Sequence, residues 1–106
     1  MEVFKVTKSA LSNYIEYSKK SNYSIEIAKR RLTAHINACQ MTGSYRDIGE
    51  NKTVYNVGKM KIVTLNNLIL KISITEGNNY FPKDYSYYLR KFSSELGISK
   101  NGKNLE

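Results

Sequence analysis

Apolar positions along this chain change their period near residue 43. Before that point they recur at three- and four-residue steps: Ile25, Ala28, Leu32, Ile36 and Cys39 fall on one face of a helix. Ser24 is a suitable N-cap, Glu26 stands in the first turn where the helix dipole favours an acid, and Gly43 is a natural terminator. Lys29, Arg30, Thr33 and Asn37 are predicted on the opposite, polar and partly basic side. Upstream, Val3, Phe4 and Val6 read as a short strand, and Thr7 or Ser9 can cap a first helix that runs through residue 20. Leu11, Tyr14, Ile15 and Ser18 form its inner stripe, and a break at Ser21 to Tyr23 separates the two helices.

After Gly43 the segment GSYRDIGENK reads as an irregular loop, and the period then drops to two. Val54 to Val57, Met60 to Leu65 and Leu68 to Thr75 are rich in β-branched residues and are separated by the two-residue turns Gly58-Lys59 and Asn66-Asn67. Such turns pair 57 with 60 and 65 with 68, and carry the pairing on to 55 with 62 and 62 with 71. Val54, Val63, Leu65, Leu68, Leu70, Ile72 and Ile74 then share one side with Asn56 and Lys61, and this side is predicted to face the helices. Tyr55, Val57, Met60, Ile62, Thr64, Ile69, Lys71 and Ser73 are assigned to the other, open side. Beyond a turn at Gly77 to Asn79, Pro82 suits the first turn of a third helix and Gly97 its C′ position, with Tyr85, Leu89, Phe92 and Leu96 as the stripe. The fold class is therefore α+β: a short N-terminal strand, a two-helix pair packed on an antiparallel three- to four-stranded meander, and a C-terminal helix. Residues 1–98 are read as one domain, and 99–106 as a flexible tail whose final Leu105 and Glu106 resemble a cloning remnant.

Charge narrows the function. Seventeen Lys and Arg against nine Asp and Glu leave +8 on 106 residues, a field that favours polyanions. The lysine-rich, asparagine-rich composition also fits AT-rich coding, which supplies part of that charge without function. No apolar run approaches about 18 residues, and MEVFKVTK has no signal-peptide core, so a membrane partner is not expected. A single cysteine and no zinc-type cluster point to a reducing compartment, the cytoplasm. His35 and Cys39 share a helical face, but two ligands fall short of the four a structural metal needs, so a core thiol beside a half-buried imidazole is the expectation. No cofactor is implied.

Acids are too few and scattered for metal-dependent hydrolysis. Metal-free RNA cleavage needs only cations and proton-transfer groups, because the 2′-hydroxyl is the nucleophile. Tyr55, Lys71 and Ser73 are the candidate catalytic set, expected in one neighbourhood of the open face, with Tyr55, Ile62 and Lys71 in a row. Arg46, Lys59, Lys61, Tyr80, Lys83, Lys29 and Arg30 are the candidate nucleic-acid contacts. In the stretch from Tyr80 to Tyr88, Tyr85 and Tyr88 turn towards the core, leaving Tyr80, Phe81 and Tyr87 free for stacking. The competing reading of all these residues is a solvated, lysine-rich sheet with ordinary tyrosines.

The order strand, helix, helix, meander, helix resembles the RelE/ParE toxin family over residues 2–75. GKMKIVTLNNLILKISIT looks like its paired strands, with Lys61 where the family usually has an Arg. After the last strand, ITEGNN supplies the acid Glu76 where family members often carry cations. The resemblance implies an RNA-binding protein that cleaves RNA without a metal, or one that inhibits a DNA-handling enzyme without catalysis, with an antitoxin or a second copy as partner. The alternatives are a phage or mobile-element inhibitor that contacts a host nucleic-acid-handling protein, and an assembly protein whose half-apolar open face forms a homodimer.

Overall fold

The computed structural model describes residues 2–18, 24–76 and 80–98. Eight elements follow in the order β1 (Lys5–Val6), α1 (Lys8–Ser18), α2 (Ile25–Thr42), β2 (Tyr45–Gly49), β3 (Lys52–Val57), β4 (Met60–Leu65), β5 (Leu68–Ile74) and α3 (Tyr85–Glu95). The strands form one five-stranded sheet in the order β1-β5-β4-β3-β2, with β1 parallel to β5 and every other pair antiparallel. The fold is α+β as the sequence suggests, with five strands rather than three or four.

The helix termini carry the capping chemistry their residues imply. Thr7 Oγ1 accepts the Ala10 N–H at 3.2 Å at the start of α1. Ser24 Oγ accepts the Ile27 N–H at 3.1 Å, and Gly43 ends α2 in the left-handed region at φ 75°, its N–H donating to the Cys39 carbonyl. Gly97 closes α3 with φ 77°: its N–H bonds the Ser94 carbonyl and the Ile98 N–H bonds that of Ser93, the paired bonds of a Schellman turn. Pro82 stands just before the helix, and its carbonyl accepts the Tyr85 N–H. The breaks read at Ser21 to Tyr23 and Gly77 to Asn79, residues 19 and 20 of the first helix, and the tail from 99 lie outside the described residues.

α2 is the central helix. Leu32, Ile36, Ala28 and Cys39 are buried as the stripe requires, but so are Thr33, Ala34 and Ala38, because α2 packs on the sheet with one flank and on α3 with another. The Cys39 thiol reaches the Asn56 carbonyl of β3, while Arg31 and His35 reach Ser93 and Tyr85 on the α3 side. Thr33 is therefore a core residue rather than a solvated one: its hydroxyl donates to the Lys29 carbonyl at 2.8 Å and accepts the Phe4 N–H at 3.0 Å. Ile25 departs from the pattern in the other direction and is 57% exposed at the start of the helix.

The expected loop GSYRDIGENK contains β2. All five of its residues are exposed, so no apolar alternation marks it. Its hairpin to β3 turns through Glu50 and Asn51, both at positive φ, which is the backbone of a tight primed turn.

The turns at 58-59 and 66-67 set the register as read, with 57 opposite 60, 55 opposite 62, and 65 opposite 68. The assignment of faces is reversed in β3, β4 and the start of β5, and holds beyond residue 70, where Ile72 is buried and Lys71 and Ser73 lie on the open side as expected. Tyr55, Val57, Met60, Ile62, Thr64, Ile69 and Ile72 are buried and join Ala10, Tyr14, Leu32, Ile36 and Tyr85 around one core. Val54, Val63, Leu65, Leu68 and Leu70 are only half-buried, on the side away from the helices. A β-bulge explains how both Ile69 and Ile72 point inward: 64 pairs with 69 but 63 pairs with 71, so Leu70 is an additional residue and the alternation restarts. Burying the other side would have taken Asn56, Lys61 and Lys71 out of water without partners, a cost that exceeds the gain from the Val and Leu residues it would cover.

Candidate nucleic-acid interface

All three helices lie on one side of the sheet, and the opposite side has no buried residue. Its pattern follows from register. One row across the strands reads Arg46, Val54, Val63, Lys71 on β2, β3, β4 and β5. The next reads Lys52, Leu65, Leu68, Lys5 on β3, β4, β5 and β1. Each row places two aliphatic side chains between two cations, and in each the terminal cations stand three strand spacings apart, roughly 14 Å at the backbone. A third, polar row reads Asn56, Lys61, Ser73. The face thus carries an aliphatic stripe flanked by two lines of positive charge, with no acidic residue in any of the rows. None of its five cations makes an ion pair among the described residues, where the one salt bridge is Arg30 to Glu26 at 3.3 Å on α2.

Several residues singled out from sequence meet here, and others do not. Arg46, Lys61, Lys71 and Ser73 all lie on this face, Lys61 being exposed on the central strand rather than turned towards the helices. Tyr55 does not. It is buried on the helix side, where its hydroxyl accepts from Gln40 Nε2 at 3.2 Å and its ring lies 5.9 Å from that of Tyr45. Because the bulge pairs Ile62 with Ile72 instead of Lys71, the row Tyr55, Ile62, Lys71 is not formed, and Tyr55 and Lys71 stand on opposite sides of the sheet. The helix side that sequence reading left open is closed by α1 and α2, which also removes it as a homodimer surface.

Lys59 is exposed at the β3–β4 turn, its carbonyl accepting from Thr75. Lys29 and Arg30 belong to α2, half-buried, with Arg30 held by Glu26 and lying close to Gly97. Tyr80, 70% exposed, and Lys83 precede α3; the exposed rings of Phe81 and Tyr87 lie 5.1 Å from those of Tyr85 and Tyr88 and so belong to the helix layer. Sequence reading missed Lys5 and Lys52. The signal for Lys52 was its place two residues before Val54 and four before Asn56, which puts it on their side of one strand.

The most perturbed titratable groups lie inside the helix layer. Tyr85 Oη meets His35 Nδ1 at 2.5 Å, and the two rings stack. His35 as a residue keeps some exposed surface while its ring is enclosed, and burial, reinforced by the Arg31 charge, lowers its pKa to about 3. Burial pushes the Cys39 thiol up to about 12 and raises the Tyr85 hydroxyl as well. The imidazole and the phenol are packed between α2 and α3, and the thiol lies between α2 and β3, so burial holds all three neutral at pH 7. No group of three or more His, Cys, Asp or Glu among the described residues could hold a metal ion, and no helix there is long and apolar enough to cross a membrane.

No family model, curated protein or solved structure matches this chain.

Proposed function

We propose that this chain binds nucleic acid, RNA ahead of DNA, through the open face of its sheet. The observation that carries this reading is the pair of rows from Arg46 to Lys71 and from Lys52 to Lys5, which set out cations at regular spacing with no acid among them. Phosphates are the ligands such an array neutralises, and release of their counterions drives the association. A second copy of the chain is a poor occupant, since two such faces would bring ten positive charges together. The kinship suggested by the element order and by the strands from Gly58 to Thr75 also favours RNA. Binding rather than cleavage is proposed, because Tyr55 is separated from Lys71 and Ser73 by the sheet itself.

Titration of a labelled RNA at low and moderate salt tests the reading. Affinity should fall steeply with salt, and Lys61→Ala and Lys71→Ala should each weaken binding and lower the slope of log K against log salt by about one. Lys83→Ala on the helix layer and Tyr55→Phe should leave both unchanged. Absence of binding at low salt would overturn the proposal and turn attention to an acidic protein partner, for which the aliphatic stripe supplies packing surface.

A further inference from the structure

Single-stranded nucleic acid is usually held by aromatic side chains that stack on successive bases. The chain has nine tyrosines and three phenylalanines, yet no position in the three open-face rows is aromatic. Tyr45 and Tyr55 turn to the helix side, and Phe81 and Tyr87 lie against the α3 rings of Tyr85 and Tyr88. What the open face offers instead is two flanking lines of charge on either side of a smooth aliphatic stripe. One strand of nucleic acid has one line of phosphates; two lines about 14 Å apart call for two strands.

The form of the duplex follows from the shape of the face. A five-stranded sheet is too broad to enter the minor groove of B-DNA, about 6 Å wide, and the B-form major groove admits a helix or a two-stranded ribbon. Sheets that do open a B-form minor groove insert projecting apolar wedges between base steps, whereas Val54, Val63, Leu65 and Leu68 on this face are half-buried among their neighbours. The minor groove of an A-form helix is wide and shallow and displays 2′-hydroxyls. Val54, Val63, Leu65 and Leu68 can rest against its ribose edges while Arg46, Lys52, Lys71 and Lys5 reach the phosphates on both sides. The polar row adds a feature specific to RNA: the Asn56 amide and the Ser73 hydroxyl flank Lys61 and have no side-chain hydrogen bond among the described residues, so they are available as partners for 2′-hydroxyls.

We infer that the ligand of the open face is double-stranded RNA, bound across its minor groove. This rests on the nucleic-acid reading above, and the experiment separates the two. Anisotropy titrations at one low salt concentration compare an RNA duplex, a DNA duplex of the same sequence and the single RNA strands. The RNA duplex should bind at least about ten-fold more tightly than the other two, a difference of about 1.4 kcal/mol. Asn56→Ala combined with Ser73→Ala should weaken binding of the RNA duplex more than that of the DNA duplex and so erode the preference between them; Ser73→Ala alone, at a half-buried position, provides the same comparison if the double variant folds poorly. Single-stranded RNA binding as tightly as the duplex, or equal affinity for the two duplexes, would overturn the inference and leave the nucleic-acid reading standing. An unaltered preference in variants that retain the wild-type melt would also count against the role given to the polar row. Failure of all three ligands to bind would remove both conclusions.

Discussion

Thr33 illustrates how a single residue departs from its sequence pattern. On α2 it falls outside the stripe of Leu32 and Ile36, yet it is fully buried because the helix is covered on more than one flank. Thr33→Val keeps the shape but strands the Phe4 N–H, so it should destabilise by about 1–3 kcal/mol in denaturant melts. Leu32→Ala and Ile36→Ala should each cost about 2–5 kcal/mol through lost burial and cavity formation, while Lys29→Ala should change stability little. His35 makes a pH prediction. Its folded pKa lies below its unfolded value, so the unfolded chain binds more protons on acidification, and the stability present above pH 6.5 is lost progressively as pH falls towards about 3. Melts from pH 7 to pH 4 should show this decline, and His35→Gln should flatten it. At the alkaline end the sign reverses: Cys39 and Tyr85 have raised folded values, so their contribution is complete below pH 9 and erodes as pH climbs above it.

Among the elements, the helices were legible because caps and stripes act locally: Ser24, Gly43 and Gly97 mark ends wherever the helix packs. The hairpin turns were legible for the same reason, since Gly58 and Asn66 take the positive φ that such turns require. β2 was not, because an edge strand with every residue exposed has no hydrophobic alternation to read. The sides of the meander were misassigned because Leu68, Ile69, Leu70, Ile72 and Ile74 are apolar on both parities, and only the extra residue in β5 decides which parity faces the helices. Leu70 itself carries little of this. Leu70→Ala at its half-buried site should cost below about 2 kcal/mol, and deletion of Leu70 should also keep a cooperative melt, because without the additional residue 64 can still pair with 69 and 63 with 71, so that Ile69 and Ile72 both stay directed into the core. Loss of the cooperative melt on deletion would mean that Leu70 is more than an additional residue between the two paired stretches.

At the scale of the whole molecule, charge was legible and its location was not. A value of +8 comes from counting residues, but the array of five cations without an acid on the uncovered side of the sheet depends on Lys5 and Lys52, which enter it only through the parallel pairing of β1 and the outward parity of β3. Two of the surfaces through which copies could associate are guarded. The open face repels its own image, and β2, the free edge, is kinked by its bulge and would oppose like charges in antiparallel registers centred on Arg46 or Asp47. The protein should therefore sediment as a monomer at low ionic strength. A dimer that persists there, and that Lys61→Glu strengthens, would place self-association on the open face instead of polyanion binding.

The burial of Cys39 gives the molecule a built-in clock. It is the single thiol of the chain, fully enclosed beneath the sheet, with its sulfur directed at the Asn56 carbonyl and its ionisation pushed far above neutral pH. A disulfide reagent in solution meets neither the sulfur nor a thiolate while the fold is closed, so modification waits for α2 to part from β3. At high reagent the labelling rate becomes the rate of that parting, and at low reagent it reports how much of the population is open. A bound ligand that clamps the far side of the same strands should slow the labelling without ever touching the cysteine, so a colour change read over hours can measure what the open face holds.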